Sequence, residues 1–165
     1  SGAARAHRPS EVQLRYGQRE VILPSHFNDR LGMNNWTRKE MKGIPASLGA
    51  LWTQRGEDGW RYAVQLDESH ANAQGMVHGG VLMTFLDHAL SLMVWEKSDR
   101  AFCSTVHLDS HFLSAVMPPA FVELEGEILK QGRNLVFARG VLKVDGKAVM
   151  EGKGVWSITR PPKPD

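Results

Sequence analysis

Between Asn72 and Asp87 the chain places Asn72, Gly75, His78, Gly79, Gly80 and Asp87 at fixed offsets around what reads as the start of a helix. The glycine pair lets the backbone approach another molecule closely and leaves amide N–H groups unscreened by a Cβ. The first N–H groups of a helix lack intrahelical partners and sit at the positive end of its dipole. Such an arrangement can hold an oxyanion developing on a carbonyl. Asp87 stands inside an otherwise apolar helix, where burial of a carboxylate is unfavourable unless it is paired or does chemistry. Alone, it reads equally well as a helix acid paired with His88; in register with Gly79 and Asn72 it reads as functional.

The spacing adds a constraint. Eight residues on one helix separate Gly79 from Asp87 by about 12 Å, whereas a general base acts within roughly 3 Å of the reacting group. One chain cannot aim both at the same carbonyl. Two copies related by a two-fold axis, with antiparallel helices, bring Asp87 of one to Gly79 of the other, so this chemistry calls for a dimer.

These residues must be positioned by the surrounding elements. Ala46 to Gln54 and Trp60 to Asp67 read as strands joined by the Gly56-Glu57-Asp58-Gly59 turn. The loop Glu68 to Val77 leads to one long helix, Gly80 to about Glu96, apolar almost all round and therefore expected to be enclosed by protein. Four strand-like runs follow: Phe102 to Leu113, Phe121 to Lys130, Leu135 to Val144 and Ala148 to Thr159. The last two are joined by Asp145-Gly146, which suits a two-residue hairpin. The economical packing is α+β, an antiparallel sheet curled around that helix. Residues 1–43 read as an N-terminal extension of open role, with a short helix expected at Ser25 to Leu31. Residues 44–160 form the domain, and 161–165 a proline-rich tail expected to fray.

Composition limits the function classes. The 165 residues are 42% hydrophobic and 23% charged, with a net charge of +2 that argues against nucleic acid as the main partner. The longest apolar stretch contains Asp87 and His88 and falls short of the roughly 20 residues of a membrane span. One cysteine and a polar, basic start without a secretory signal fit a reducing cytoplasm.

The run Asn72-Ala-Gln-Gly75-Met-Val-His78-Gly79-Gly80, followed by Asp87, resembles the signature of hotdog-fold acyl-CoA thioesterases. The likeness is to the phenylacetate-pathway and 4-hydroxybenzoyl-CoA thioesterase branch, and it covers about Ile44 to Thr159. The resemblance implies hydrolysis of an acyl-CoA thioester, with Asp87 as general base or nucleophile and the Gly79 N–H polarising the carbonyl. It implies Asn72 as a polar group near the water or carboxylate, and His78 as the motif histidine at the helix entry. Ser91 and Thr105 match hydroxyl positions that assist in family members. No metal and no separate cofactor are implied, coenzyme A being part of the substrate. A homodimer, or a dimer of dimers, is the expected assembly.

Further candidates for substrate contact are Gly80, Gln74 and Met83, with Arg133 and Asn134 in a hairpin turn, and Arg139, placed to meet coenzyme A phosphates. His107, Asp109 and His111 alternate along one strand and share a face; such a trio can bind zinc, but a polar face at a subunit contact explains it with less. Two other function classes compete. A hotdog hydratase relies on a histidine and acid in a different local arrangement, and a non-catalytic acyl-CoA binder has little reason to bury Asp87.

Overall fold

The computed structural model describes residues 13–16, 19–22 and 36–160. The chain divides into two compact units, Ser1–Trp36 and Thr37–Asp165. In the first, β1 (Gln13–Tyr16) and β2 (Arg19–Ile22) pair antiparallel with Tyr16 opposite Arg19. The helix expected at Ser25 to Leu31 and the tail 161–165 lie outside the described residues.

The second unit begins with β3 (Thr37–Glu40), a 3-10 turn (Ile44–Leu48), β4 (Ala50–Gly56) and β5 (Gly59–Leu66). After a second 3-10 turn (Glu68–His70) comes the one long helix, α1 (Gly79–Lys97). Strands β6 (Phe102–Phe112), β7 (Ala120–Gln131), β8 (Leu135–Val144) and β9 (Lys147–Thr159) complete an antiparallel sheet ordered β3-β4-β5-β7-β8-β9-β6. The hairpin signals hold: Val144 pairs with Lys147, and Asp145 and Gly146 between them both take positive φ, 52° and 78°. A two-residue turn that matches the twist of its strands requires this. The strand expected from Ala46 starts instead at Ala50. Pro45 sits at the head of a 3-10 turn whose bonds run from Ala46 N–H to Gly43 O and from Gly49 N–H to Ala46 O. Thr37–Glu40, within the segment 1–43, pairs with β4 as the outer strand on that side, Glu40 facing Ala50.

The sheet comes unusually close to α1 because a row of glycines crosses it. Gly126, Gly140 and Gly152 are register partners on β7, β8 and β9. A Cβ at Gly152 would stand 2.5 Å from Leu86 Cδ2, one at Gly140 3.1 Å from Leu90 Cδ2, and one at Gly126 3.1 Å from Met93 Cε. Leu86, Leu90 and Met93 are successive residues of one helical ridge, and they settle into that row. Leu82, Phe85, Leu86, Ala89, Leu90 and Val94 are buried against the sheet, each large side chain contributing about 1.5–3 kcal/mol. The helix is not enclosed on every side, however. One curled sheet covers one flank, and along the other Thr84, Asp87, His88, Ser91 and Leu92 remain half-buried and Trp95 is exposed. No helix among the described residues is long and apolar enough to cross a membrane.

Candidate active site

The entry to α1 is held by a laced loop. The Asn72 N–H donates to Met76 O (2.7 Å) and the Gly75 N–H to Asn72 O (3.0 Å). The Asn72 side-chain oxygen accepts from the N–H groups of Gln74 (2.9 Å) and Met76 (3.2 Å), so this oxygen serves the turn itself. Val77 N–H donates to Val116 O at 2.8 Å and His78 N–H to His70 O at 2.9 Å, which pins the residues just before the helix. His78 is the N-cap, its Nδ1 accepting from the Gly80 N–H at 2.9 Å. Gly80 N–H is thereby engaged. Among the described residues the Gly79 N–H meets no acceptor, and it lies at the positive end of a 19-residue helix. The Phe112 ring packs on this position, 3.1 Å from where a Cβ would project.

Asp87 lies two turns further on and faces β6. The Thr105 hydroxyl donates to Asp87 Oδ1 at 2.7 Å. A β-bulge between Thr105 and His107 leaves Val106 unpaired and reverses the side-chain alternation of the strand. Thr105 opposite Trp156 therefore faces the helix, whereas His107, Asp109 and His111, opposite Val155, Lys153 and Glu151, lie on the outer surface. His111 Nδ1 is 3.5 Å from Glu151 Oε1. Among the described residues no group of three or more His, Cys, Asp or Glu side chains is arranged to hold a metal.

Ser91, one turn beyond Asp87, accepts a 2.8 Å hydrogen bond from the indole N–H of Trp156, a fully buried residue of β9. Sequence reading counted Trp156 only among the core tryptophans, since nothing in the chain links it to a serine 65 positions away. Phe112 was missed for the same reason. Burial raises the Cys103 thiol above its ordinary value, and the negative Asp87 adds to the rise. Burial also pulls His88 below its ordinary value, with Asp87 acting in the opposite direction.

The remaining candidates lie apart from this cluster. Gln74 is exposed on the loop. Met83 is half-buried beneath Ser110, whose hydroxyl reaches its sulfur at 2.8 Å. Arg133 and Asn134 occupy the β7–β8 turn, the Asn134 carbonyl accepting from Ile158 N–H at 2.8 Å. Arg139 pairs with Glu127 on the outer face of the sheet. The structure thus gathers Asp87, Thr105 and Ser91 on one side of the helix, and Gly79, Gly80 and His78 at its start.

Residues 74–150, which carry the Gly79 entry, Asp87 and Thr105, match the sequence model of the Thioesterase superfamily. The matched segment makes up just under half of the chain. Acyl-coenzyme A thioesterase 13 of Mus musculus is 29% identical over 94 residues, which are 54% of this chain and 66% of that protein, just under two thirds of its length. Zebra fish thioesterase superfamily member 2 superposes with a TM-score of 0.66 at 22% identity, covering 73% of this chain and 89% of that one. BH2602 protein from Bacillus halodurans, solved with CoA, superposes with a TM-score of 0.60 at 26% identity, covering 67% and 74%. The antiparallel sheet around a single long helix is the hotdog fold of these thioesterases.

Proposed function

We propose that the protein is an acyl-CoA thioesterase whose active site is built across a homodimer. The observation that carries this reading is the division of the machinery along α1. A Gly79 N–H without an acceptor stands at one end, and a carboxylate held by Thr105 stands about 12 Å away, at eight residues of 1.5 Å rise. The names of the relatives, and the CoA in the Bacillus halodurans protein, support an acyl-CoA substrate.

In this mechanism the thioester carbonyl oxygen of the substrate accepts the Gly79 N–H of one protomer, and the positive helix end stabilises the oxyanion. Asp87 of the other protomer takes a proton from a water molecule, whose oxygen attacks the carbonyl carbon. The C–S bond breaks, the proton passes to the leaving thiolate, and the products are a carboxylic acid and coenzyme A. Thr105 already donates to Oδ1, which leaves Oδ2 to receive the water proton.

The dimer is supported by the last strand of the sheet. β6 has no neighbour on its outer side within the sheet, and it exposes Phe102 (72%), Val106 (61%) and Phe112 (56%). An exposed apolar edge of this length is a ready template for pairing with a second chain. The half-buried flank of α1 lies beside it.

Complementation tests the shared site. Asp87→Asn and Gly79→Pro, which removes the N–H at the first helical position and requires the Phe112 ring to give by a few tenths of an ångström, are each expected to be inactive as homodimers. Co-expressed under different tags and purified as the heterodimer, they retain one intact site and recover about half of the activity. A heterodimer as inactive as its parents means the two groups do not meet across subunits.

A further inference from the structure

We infer that Trp156 is a positioning residue of the active site: through its indole N–H it turns the Ser91 hydroxyl into a dedicated hydrogen-bond donor beside Asp87. This rests on the thioesterase reading above.

A serine within a helix ordinarily returns its hydroxyl proton to the carbonyl four residues back. Thr84, on the same helix, does so, donating to Gly80 O at 2.9 Å. Ser91 has the same option, because its carbonyl four residues back is that of Asp87. Among the described residues, however, the Ser91 hydroxyl donates to no acceptor, and it accepts from Trp156 Nε1 at 2.8 Å. An indole N–H can only donate, so the oxygen on which it lands must accept. With one lone pair facing Trp156, the hydroxyl hydrogen is directed away from Nε1 and is left to donate elsewhere, and Ser91 occupies the half-buried flank that carries Asp87.

The donor is well anchored. Trp156 is fully buried, its ring packs at the Gly154 position, and it pairs in register with Thr105, the residue that binds Asp87. One strand pair thus supplies two constraints. Thr105 fixes Oδ1 of Asp87 directly, and Trp156 acts one turn further along through Ser91. A hydroxyl set to donate in this place favours the charged states of hydrolysis, the oxyanion and the departing thiolate.

The test compares Trp156→Phe, which keeps a ring and loses the N–H, with Ser91→Ala and with the double variant, in full-length protein and by steady-state kinetics. The expected result is a fall in kcat of about tenfold for each single variant with KM little changed, and a double variant no slower than Ser91→Ala alone. In parallel, the Trp156 indole N–H resonance, assigned in the wild-type protein by triple-resonance and NOE connectivity, shifts in Ser91→Ala. This readout needs no activity and also serves if Trp156→Phe folds poorly. An unmoved resonance, effects that multiply in the double variant, or an unchanged kcat in Ser91→Ala overturns the inference while leaving the thioesterase reading in place. If the wild-type protein releases no thiol from any acyl-CoA, the reading fails, and the inference with it, even where the resonance shifts.

Discussion

Thr105 Oγ1 lies 2.7 Å from Asp87 Oδ1 and donates to it, so the carboxylate on the helix is tied to the last strand of the sheet. The bulge at Val106 turns Thr105 toward the helix, and without it the polar residues that follow would have shared its face. A Thr105→Val variant keeps the shape and removes the donor. Its kcat is expected to fall about tenfold, the worth of one hydrogen bond to a charged reacting group, and Thr105→Ser is expected to restore most of the loss. Equal rates for Val and Ser would show that the hydroxyl is not used.

The glycine row predicts a stability effect away from the site. A Cβ at Gly152 would stand 2.8 Å from the Asp109 carbonyl oxygen as well as 2.5 Å from Leu86 Cδ2, and the carbonyl belongs to the paired backbone of β6. Gly152→Ala is therefore expected to destabilise the fold by about 1–3 kcal/mol, in the range of core overpacking, measured as a lower denaturant midpoint. A midpoint equal to wild type would mean that helix and sheet separate more easily than their spacing implies.

Cys103 reports on the charge of Asp87. Burial first, and Asp87 second, hold its thiol above the ordinary value, and reaction with thiol reagents requires the thiolate. Removal of the negative charge in Asp87→Asn lowers the thiol pKa, so Cys103 should label faster in the variant than in wild type at the same mildly alkaline pH. Unchanged or slower labelling in a folded variant would contradict the electrostatic coupling.

His88 predicts the direction of a pH effect on stability. Burial depresses its folded value below the ordinary 6.5, so the unfolded chain binds the proton more readily than the folded one. The stabilising contribution is complete above the unfolded value and declines as pH falls below it. His88→Gln should flatten the loss of stability between roughly pH 7 and pH 5. A slope identical to wild type would remove His88 as its source.

Much of the fold was legible because each element carried its own local signal. The Asp145-Gly146 turn, the ends of β8 and the start of α1 depend on residues close together in sequence. The geometry of the candidate site was legible where its parts lie on or at the start of one helix, as His78, Gly79 and Asp87 do. Contacts across strands were not. The bulge at Val106, the donor on Trp156 and the Phe112 ring on Gly79 arise from pairing between distant segments, which alternation and spacing do not encode. Asn72 was legible as important, but its side-chain oxygen braces the turn that leads to the helix.

The central claim is tested most directly by following thiol release from a panel of aromatic and aliphatic acyl-CoA thioesters, with wild type and Asp87→Asn side by side. Wild type is expected to release coenzyme A from at least one class, and the variant to lose at least about a hundredfold in kcat with KM retained, the scale of a missing general base. Release by the variant at the wild-type rate, or none by wild type from any thioester that it binds, would contradict the account.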